Sequence, residues 1–133
     1  MRVLLDTHVW LWMVAEPKRF SPESVALLQD GSNELLLSAA SSFEIAIKYT
    51  LGKLPLPAPP QEYVPDQIAR TGVAPLAIEH AHALAVAELP LHHRDPFDRL
   101  LIAQAQLEGL TILTIDRRIA AYDVPIRWAG PIG

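Results

Sequence analysis

Two short, mostly apolar segments of the chain each run directly into an aspartate. Residues 2–5 end on Val-Leu-Leu and precede Asp6, and residues 110–115 precede Asp116. Apolar runs of this length are typical of strands that are buried on both faces of a parallel sheet. Because ligands collect at the carboxyl ends of such strands, the pattern predicts that both aspartates lie in one functional pocket.

Strand-like and helix-like patterns alternate through the rest of the chain. The pattern predicts further strands at 34–38, 73–78 and 124–128, and helices at 7–15, 22–30, 41–51, 61–70, 79–89, 96–109 and 117–122. Two helix starts carry a capping side chain followed by proline, at Ser21-Pro22 and Asp95-Pro96. The alternation favours an α/β fold, a three-layer α/β/α sandwich with a mostly parallel central sheet. We expect residues 1–133 to form a single domain.

The composition argues against several classes of protein. The chain has no cysteine, which excludes disulfides, thiolate zinc sites and a cysteine nucleophile. No apolar run approaches the roughly 18 residues of a membrane span, and Asp6 comes too early for a secretory segment, so we expect a cytoplasmic protein with no membrane contact. A net charge of -4 argues against broad adhesion to nucleic acid, although a bound divalent cation changes the local sign.

Four acids stand at the starts of predicted elements: Asp6, Glu44, Asp98 and Asp116. Each has a structural explanation of its own, since Ser41-x-x-Glu44 fits a capping box and the aspartates can cap helices or favour their first turns. Four converging carboxylates, however, repel one another unless cations neutralise them. Oxygen ligands suit Mg²⁺ or Mn²⁺, and such a site activates water and stabilises phosphoryl charge, so phosphodiester hydrolysis is the predicted reaction.

These acids stand in four motifs that resemble those of PIN-domain ribonucleases, and of VapC-type toxins of toxin–antitoxin pairs in particular. The motifs are Asp6-Thr7 after the first strand, Glu44 early in the third helix, residues 98–105 (Asp-Arg-Leu-Leu-Ile-Ala-Gln-Ala) and residues 113–116 (Leu-Thr-Ile-Asp). They occur in order and at family-like spacing over nearly the whole chain. The resemblance implies a PIN-like domain and a metal-dependent endoribonuclease that leaves a 5′-phosphate and a 3′-hydroxyl.

The resemblance also implies roles for individual residues. Asp6, Glu44, Asp98 and Asp116 would hold Mg²⁺ or Mn²⁺ and orient the attacking water, with Asp6 and Asp98 as direct ligands and Glu44 or Asp116 acting through water. Thr7 and Thr114 are expected to hydrogen-bond the carboxylates from behind. Asp95 lies one turn before Asp98, and we assign it as the helix cap because the residues after Asp98 fit the family pattern.

Several basic residues near the acids are candidates for phosphate contact. They are Lys48, Arg99, Arg117 and Arg118, together with His93 in the loop that precedes the Asp98 helix, which we expect at the rim of the pocket. His8 follows the first motif but is expected to pack rather than to bind metal.

The family resemblance implies partners as well as a substrate. These are RNA, a second copy of the chain in a homodimer, and an antitoxin protein that fills the acidic groove and alone contacts DNA. Trp12, which falls off the apolar stripe of the first helix, is a further hint of a dimer surface.

Three other functions fit the sequence less well than a metal-dependent endoribonuclease does. An α/β phosphatase that uses Asp6 would need a second aspartate two residues later, where this chain has His8. A receiver domain would show a neighbouring acidic pair and a late lysine, and neither is clear. A noncatalytic PIN-fold binding module predicts gaps among the four acids, and none is found. DNA as substrate stays open, because only groove contacts to the 2′-hydroxyl distinguish the two nucleic acids.

Overall fold

The central sheet of the protein contains five short strands, all parallel. A computed structural model describes residues 1–131, and the five strands, six α-helices and three 3-10 turns are those of that part of the chain. The strands are β1 (Arg2–Leu5), β2 (Glu34–Ser38), β3 (Ala74–Leu76), β4 (Thr111–Thr114) and β5 (Ile126–Trp128), and they lie in the order β3-β2-β1-β4-β5. The strand nearest the N-terminus is therefore the central one.

Six α-helices connect and cover these strands. They are α1 (Thr7–Ala15), α2 (Pro22–Gln29), α3 (Ala39–Thr50), α4 (Pro60–Thr71), α5 (His80–Ala85) and α6 (Pro96–Glu108), and short 3-10 turns occur at Pro17–Arg19, Val86–Glu88 and Ile119–Ala121. None of the helices in residues 1–131 has both the length and the apolar character needed to cross a bilayer.

The side chains of β1 alternate between two separate hydrophobic cores. Leu4 packs in a cluster that includes Leu101 of α6, whereas Val3 and Leu5 pack in a second cluster that includes Trp10 of α1. Successive side chains of a strand point to opposite faces, so helices must cover both faces of the sheet. The predicted three-layer α/β/α sandwich with a parallel central sheet is therefore confirmed.

The strand register brings the ends of β1 and β4 to the same level. Leu5 pairs with Leu113, and the backbone N–H of Asp6 donates to the carbonyl of Leu113 at 3.1 Å. Thr114 then stands beside Asp6, with Asp116 two residues further on. The carboxyl edge of the sheet thus collects the residues that follow both strands.

Helix α3 begins two residues earlier than predicted. Ser38, the last residue of β2, is its cap and accepts the N–H of Ala40 at 2.9 Å, so Ser41 lies inside the first turn. The alternative capping box between Ser41 and Glu44 therefore does not form. Both side chains point instead toward the carboxyl edge of the sheet.

Two other segments also depart from their predicted form. The predicted helix over 79–89 stops at Ala85 and continues as a 3-10 turn, and the carbonyls of Val86 and Leu89 accept hydrogen bonds from Arg99. The predicted short helix over 117–122 is a single 3-10 turn.

Trp12 packs within the chain. Its ring meets Phe20 edge to face with the centroids 5.6 Å apart, and the Arg19 guanidinium lies 5.5 Å from its centroid. This intramolecular packing accounts for Trp12 without a dimer surface.

Gly109, which ends α6, provides a test of local backbone strain. Its φ is 67°, and a Cβ there would meet nothing within 4 Å. The only unfavourable effect of Gly109→Ala is therefore that alanine must adopt the left-handed backbone conformation. We expect the free energy of unfolding to fall by about 1 kcal/mol, measured by urea denaturation. Gly31→Ala is the matched control, because Gly31 has equal space and no positive φ. An equal loss at both positions would contradict the assignment.

Candidate metal site

A cavity of about 590 Å³ opens at the carboxyl edge of the sheet. All four predicted acids line it: Asp6, Glu44, Asp98 and Asp116. Asp95, His8, Lys48, Arg117 and Arg118 complete the polar part of its wall. Acids separated by up to 110 positions along the chain are thus gathered at one place by the parallel strand order.

Asp6 is held on both of its oxygens. Oδ1 accepts the backbone N–H of Val9 at 3.1 Å as the cap of α1, and Oδ2 accepts the hydroxyl of Thr114 at 2.5 Å. The side chain is buried, and this burial raises its pKa, although Thr114 and the helix amides oppose the shift. Asp6 is therefore fixed in place while one side of its carboxylate still faces the cavity.

Glu44 is buried and also has partners on both oxygens. Oε1 accepts the hydroxyl of Thr7 at 2.8 Å, and that hydroxyl also lies 2.8 Å from Ser41 Oγ. Oε2 pairs with Lys48, one helical turn later, at 2.5 Å. Partial burial opposes the charge on Lys48, but Glu44 and the neighbouring aspartates outweigh it and raise the pKa of Lys48. Lys48 is thus the internal counter-charge of Glu44.

Asp95 caps helix α6, and Asp98 stands in the first turn of that helix among the other acids of the cavity. Asp95 Oδ1 accepts the backbone N–H groups of Phe97 and Asp98 at 2.8 and 3.1 Å, as expected for the cap. Burial raises the pKa of Asp98 to about 8, with contributions from the charges of Asp95, Asp6, Glu44 and Asp116. Without a cation, Asp98 is therefore largely protonated at neutral pH.

Asp116 is paired with Arg118. Its Oδ1 accepts the backbone N–H and the Nε–H of Arg118 at 2.9 and 3.1 Å, and its Oδ2 lies 3.0 Å from Nη2. Burial alone would raise the pKa of Asp116, but these hydrogen bonds and the positive charge lower it. The pKa values of the neighbouring residues Asp116 and Asp98 are therefore shifted in opposite directions.

His93 and Arg99 lie elsewhere than the sequence predicted. His93 is buried beneath the acids rather than at the rim, with Nε2 at 2.9 Å from Asp98 Oδ2 and 3.2 Å from Asp116 Oδ2. The Arg99 guanidinium donates to four backbone carbonyls and to the hydroxyl of Tyr122. Contacts within the chain occupy both side chains, and those of His93 are buried, so neither is free to contact a phosphate.

The donor set of the cavity fits a hard divalent cation. Every acid that lines the cavity offers carboxylate oxygens, which Mg²⁺ and Mn²⁺ prefer. The raised pKa of Asp98 arises first from burial and then from the negative charges of Asp95, Asp6, Glu44 and Asp116. A cation bound among Asp6, Glu44, Asp98 and Asp116 would supply the missing positive charge.

The fold and this cavity together define a class of α/β protein, one with a carboxylate-lined cavity at the carboxyl edge of a parallel sheet. The family model described as the PIN domain matches residues 3–125. The chain belongs to the PIN-domain family, which confirms the resemblance seen in its four acidic motifs.

Two proteins of Mycobacterium tuberculosis (strain ATCC 25618 / H37Rv) are similar in sequence. Ribonuclease VapC22 is 32% identical over 126 residues, which cover 92% of this chain and 93% of that protein. Ribonuclease VapC16 is 57% identical over 60 residues, and this match spans 45% of the chain and only 43% of VapC16. VapC22 is thus the relative that is matched along nearly its whole length.

Two solved structures share the fold. VapBC2 from Rickettsia felis, crystallised with a DNA fragment from its promoter, superposes with a TM-score of 0.72 at 14% identity, covering 97% of this chain and 99% of that one. VapBC from Salmonella typhimurium, bound to DNA, gives a TM-score of 0.70 at 17% identity, covering 96% and 98%. At such low identity, these likenesses establish the fold alone.

The raised pKa of Asp98 predicts a pH-dependent stability of the metal-free protein. A carboxyl whose pKa is raised on folding contributes stability that is complete below its ordinary pKa of 3.8 and is lost as the pH rises through about 8. We expect the thermal unfolding midpoint to fall between pH 6 and pH 9 in the presence of chelator. Asp98→Asn should flatten this fall, whereas Asp66→Asn, at an exposed ion pair on α4, should preserve it. An unchanged slope in Asp98→Asn would contradict the assignment.

Proposed function

We propose that this protein is a metal-dependent endoribonuclease, the toxin of a toxin–antitoxin pair, which hydrolyses RNA phosphodiester bonds at the acidic cavity. The observation that carries the proposal is the convergence of four carboxylates around an Asp98 whose pKa is raised to about 8. The name ribonuclease, borne by the relatives VapC22 and VapC16, supports the same activity. The products would carry a 5′-phosphate and a 3′-hydroxyl.

Four residues would hold the Mg²⁺ or Mn²⁺ ion: Asp6 and Asp98 directly, and Glu44 and Asp116 directly or through water. When bound, the ion would lower the pKa of a water molecule and stabilise the charge that develops on the phosphoryl oxygens.

The surrounding residues fix the carboxylates before any ligand arrives. The Thr114 hydroxyl and the first amides of α1 orient Asp6, while the Thr7 hydroxyl and Lys48 orient Glu44. Hydrogen bonds of this kind preserve the geometry of ligand carboxylates and tune their affinity for a cation. We therefore assign Thr7 and Thr114 as positioning residues of the site.

Positive side chains at the rim would contact the RNA backbone. Arg117 lines the cavity and is exposed, and Lys48 is about one-third exposed beside Glu44. Both can approach phosphate groups that enter the cavity, which suits contacts that set the position of the strand rather than its sequence. Arg118 would have to release Asp116 to do the same.

An antitoxin protein would be the partner of this chain. The solved VapBC structures that share the fold support this proposal, since two of them contain DNA as well. The antitoxin would cover the acidic cavity and supply the DNA contact, and the toxin would act in the cytoplasm as a homodimer. A monomer by light scattering at micromolar concentration would remove the homodimer from this scheme.

The alternative functions receive less support from the site. A phosphatase that uses Asp6 as its nucleophile would need a second aspartate two residues later, and His8 stands at that position. A noncatalytic binding module has no reason to keep four acids around one cavity, where burial and their neighbouring charges raise the pKa of Asp98.

The activity is tested by incubating total cellular RNA with the purified protein and Mg²⁺ or Mn²⁺. We expect cleavage that stops with chelator and falls at least about 100-fold in Asp98→Asn, because an oxygen ligand is lost. Asp66→Asn is the control, since it removes one negative charge from an exposed ion pair far from the cavity. Cleavage that persists in Asp98→Asn or in chelator would contradict the mechanism. A protein that neither binds Mn²⁺ nor cuts RNA would favour the binding module.

A further inference from the structure

His93 lies directly beneath two of the acids, although nothing in the proposed reaction uses it. Its side chain is 1% exposed, and its Nε2 approaches Asp98 Oδ2 and Asp116 Oδ2 together, at 2.9 and 3.2 Å. These three side chains place their ligand-type atoms within 4.8 Å of one another. Two roles are chemically possible, since Nε2 can offer a lone pair to a cation or a proton to the carboxylates.

The other ring nitrogen decides between these roles. Nδ1 of His93 accepts the backbone N–H of Asp95 at 3.2 Å. A ring nitrogen that accepts a hydrogen bond carries no proton, so the proton of the neutral ring lies on Nε2. An Nε2–H group donates and cannot bind a metal ion. The cap residue of α6 therefore sets His93 as a donor to Asp116, with Asp98 Oδ2 beside the same nitrogen.

The loop that carries His93 is fixed by buried polar contacts. The His93 N–H donates to the Tyr122 hydroxyl at 2.9 Å, and that hydroxyl donates to the Pro90 carbonyl at 2.7 Å. Arg99 donates to the carbonyls of Pro90 and His93 at 2.9 and 3.2 Å. Arg99 follows Asp98 on α6. The helix that carries Asp98 therefore also holds the loop that carries His93.

The protein contains a second buried histidine with the same arrangement. His82 accepts the backbone N–H of Glu79 on Nδ1 at 2.9 Å, and its Nε2 lies 2.8 Å from Glu108 Oε1. It is 2% exposed and does not line the acidic cavity. The two histidines differ in their contacts. His82 Nε2 contacts one glutamate, whereas His93 Nε2 contacts two of the acids that line the cavity.

We propose that His93 is a positioning residue that donates its Nε2–H to Asp116, lies against Asp98 and sets the separation of these two carboxylates for a cation, without binding the cation itself. The inference rests on the cation site of the proposed function. Because Nε2 meets one oxygen of each carboxylate, Oδ2 of Asp116 at 3.2 Å and Oδ2 of Asp98 at 2.9 Å, it leaves their other oxygens available to the ion. Loss of such a partner typically weakens metal binding by about 10- to 100-fold.

Three variants test this role through Mn²⁺ affinity, measured by calorimetry. His93→Leu removes the donor but keeps an apolar volume, His93→Gln keeps an amide N–H of similar reach, and His82→Leu is the matched control. We expect Mn²⁺ affinity to fall about 10- to 100-fold in His93→Leu, to recover in His93→Gln, and to remain that of the unmodified protein in His82→Leu. Equal losses in His93→Leu and His93→Gln would mean that the ring binds the ion. Unchanged affinity in His93→Leu would overturn any positioning role.

A spectroscopic measurement on the unmodified protein keeps the proposal testable if His93→Leu fails to fold. Nitrogen-15 NMR of the histidine-labelled protein should show the Nε2–H tautomer for His93 without metal and after addition of Mg²⁺. A proton on Nδ1, or loss of the Nε2 proton with Mg²⁺, would overturn the proposal. Mn²⁺ binding without RNA cleavage would instead contradict the proposed function and leave the role of His93 standing.

Discussion

Mutual repulsion among carboxylates is the constraint on which the acidic cavity depends. Asp6, Glu44, Asp98 and Asp116 line one cavity, and burial together with the neighbouring negative charges raises the pKa of Asp98 to about 8. The donors are Thr114 for Asp6, Thr7 and Lys48 for Glu44, and His93 and Arg118 for Asp116, while His93 Nε2 also lies 2.9 Å from Asp98 Oδ2. These partners hold the carboxylates in place, and a set of carboxylate oxygens of this kind suits a hard divalent cation.

The same contacts couple the site to the rest of the fold. Helix α6 presents Asp98 in its first turn, and the next residue, Arg99, holds the preceding loop through four backbone carbonyls. In the part of the chain that the structure describes, no buried side-chain nitrogen or oxygen lacks a hydrogen-bond partner. Fully satisfied polar networks are rigid, because every displaced group would lose a partner in a region of low dielectric constant. A rigid frame of this kind suits carboxylates that must keep a fixed separation.

Membership of the PIN-domain family and the chemistry of the cavity support one another. The family model and VapC22 both match most of the chain, whereas the solved VapBC complexes agree in fold at low identity. The cavity adds what a sequence match does not contain, namely which side chains of this protein lie together and which are already engaged. It shows that Arg117 faces the cavity, whereas Arg99 is engaged in hydrogen bonds to backbone carbonyls within the chain.

The sequence alone determined the parallel α/β sandwich, the family and the positions of the four acids, since apolar strands, caps and acidic motifs are local patterns. It also identified Asp95 as a cap, because the capping bond spans only three residues. Only the tertiary structure decided the roles of His93 and Arg99. Both stand in or beside a polar loop that resembles a solvated one in sequence. Their burial arises from contacts with Tyr122 and Asp116, more than twenty positions away, and no local pattern encodes such contacts.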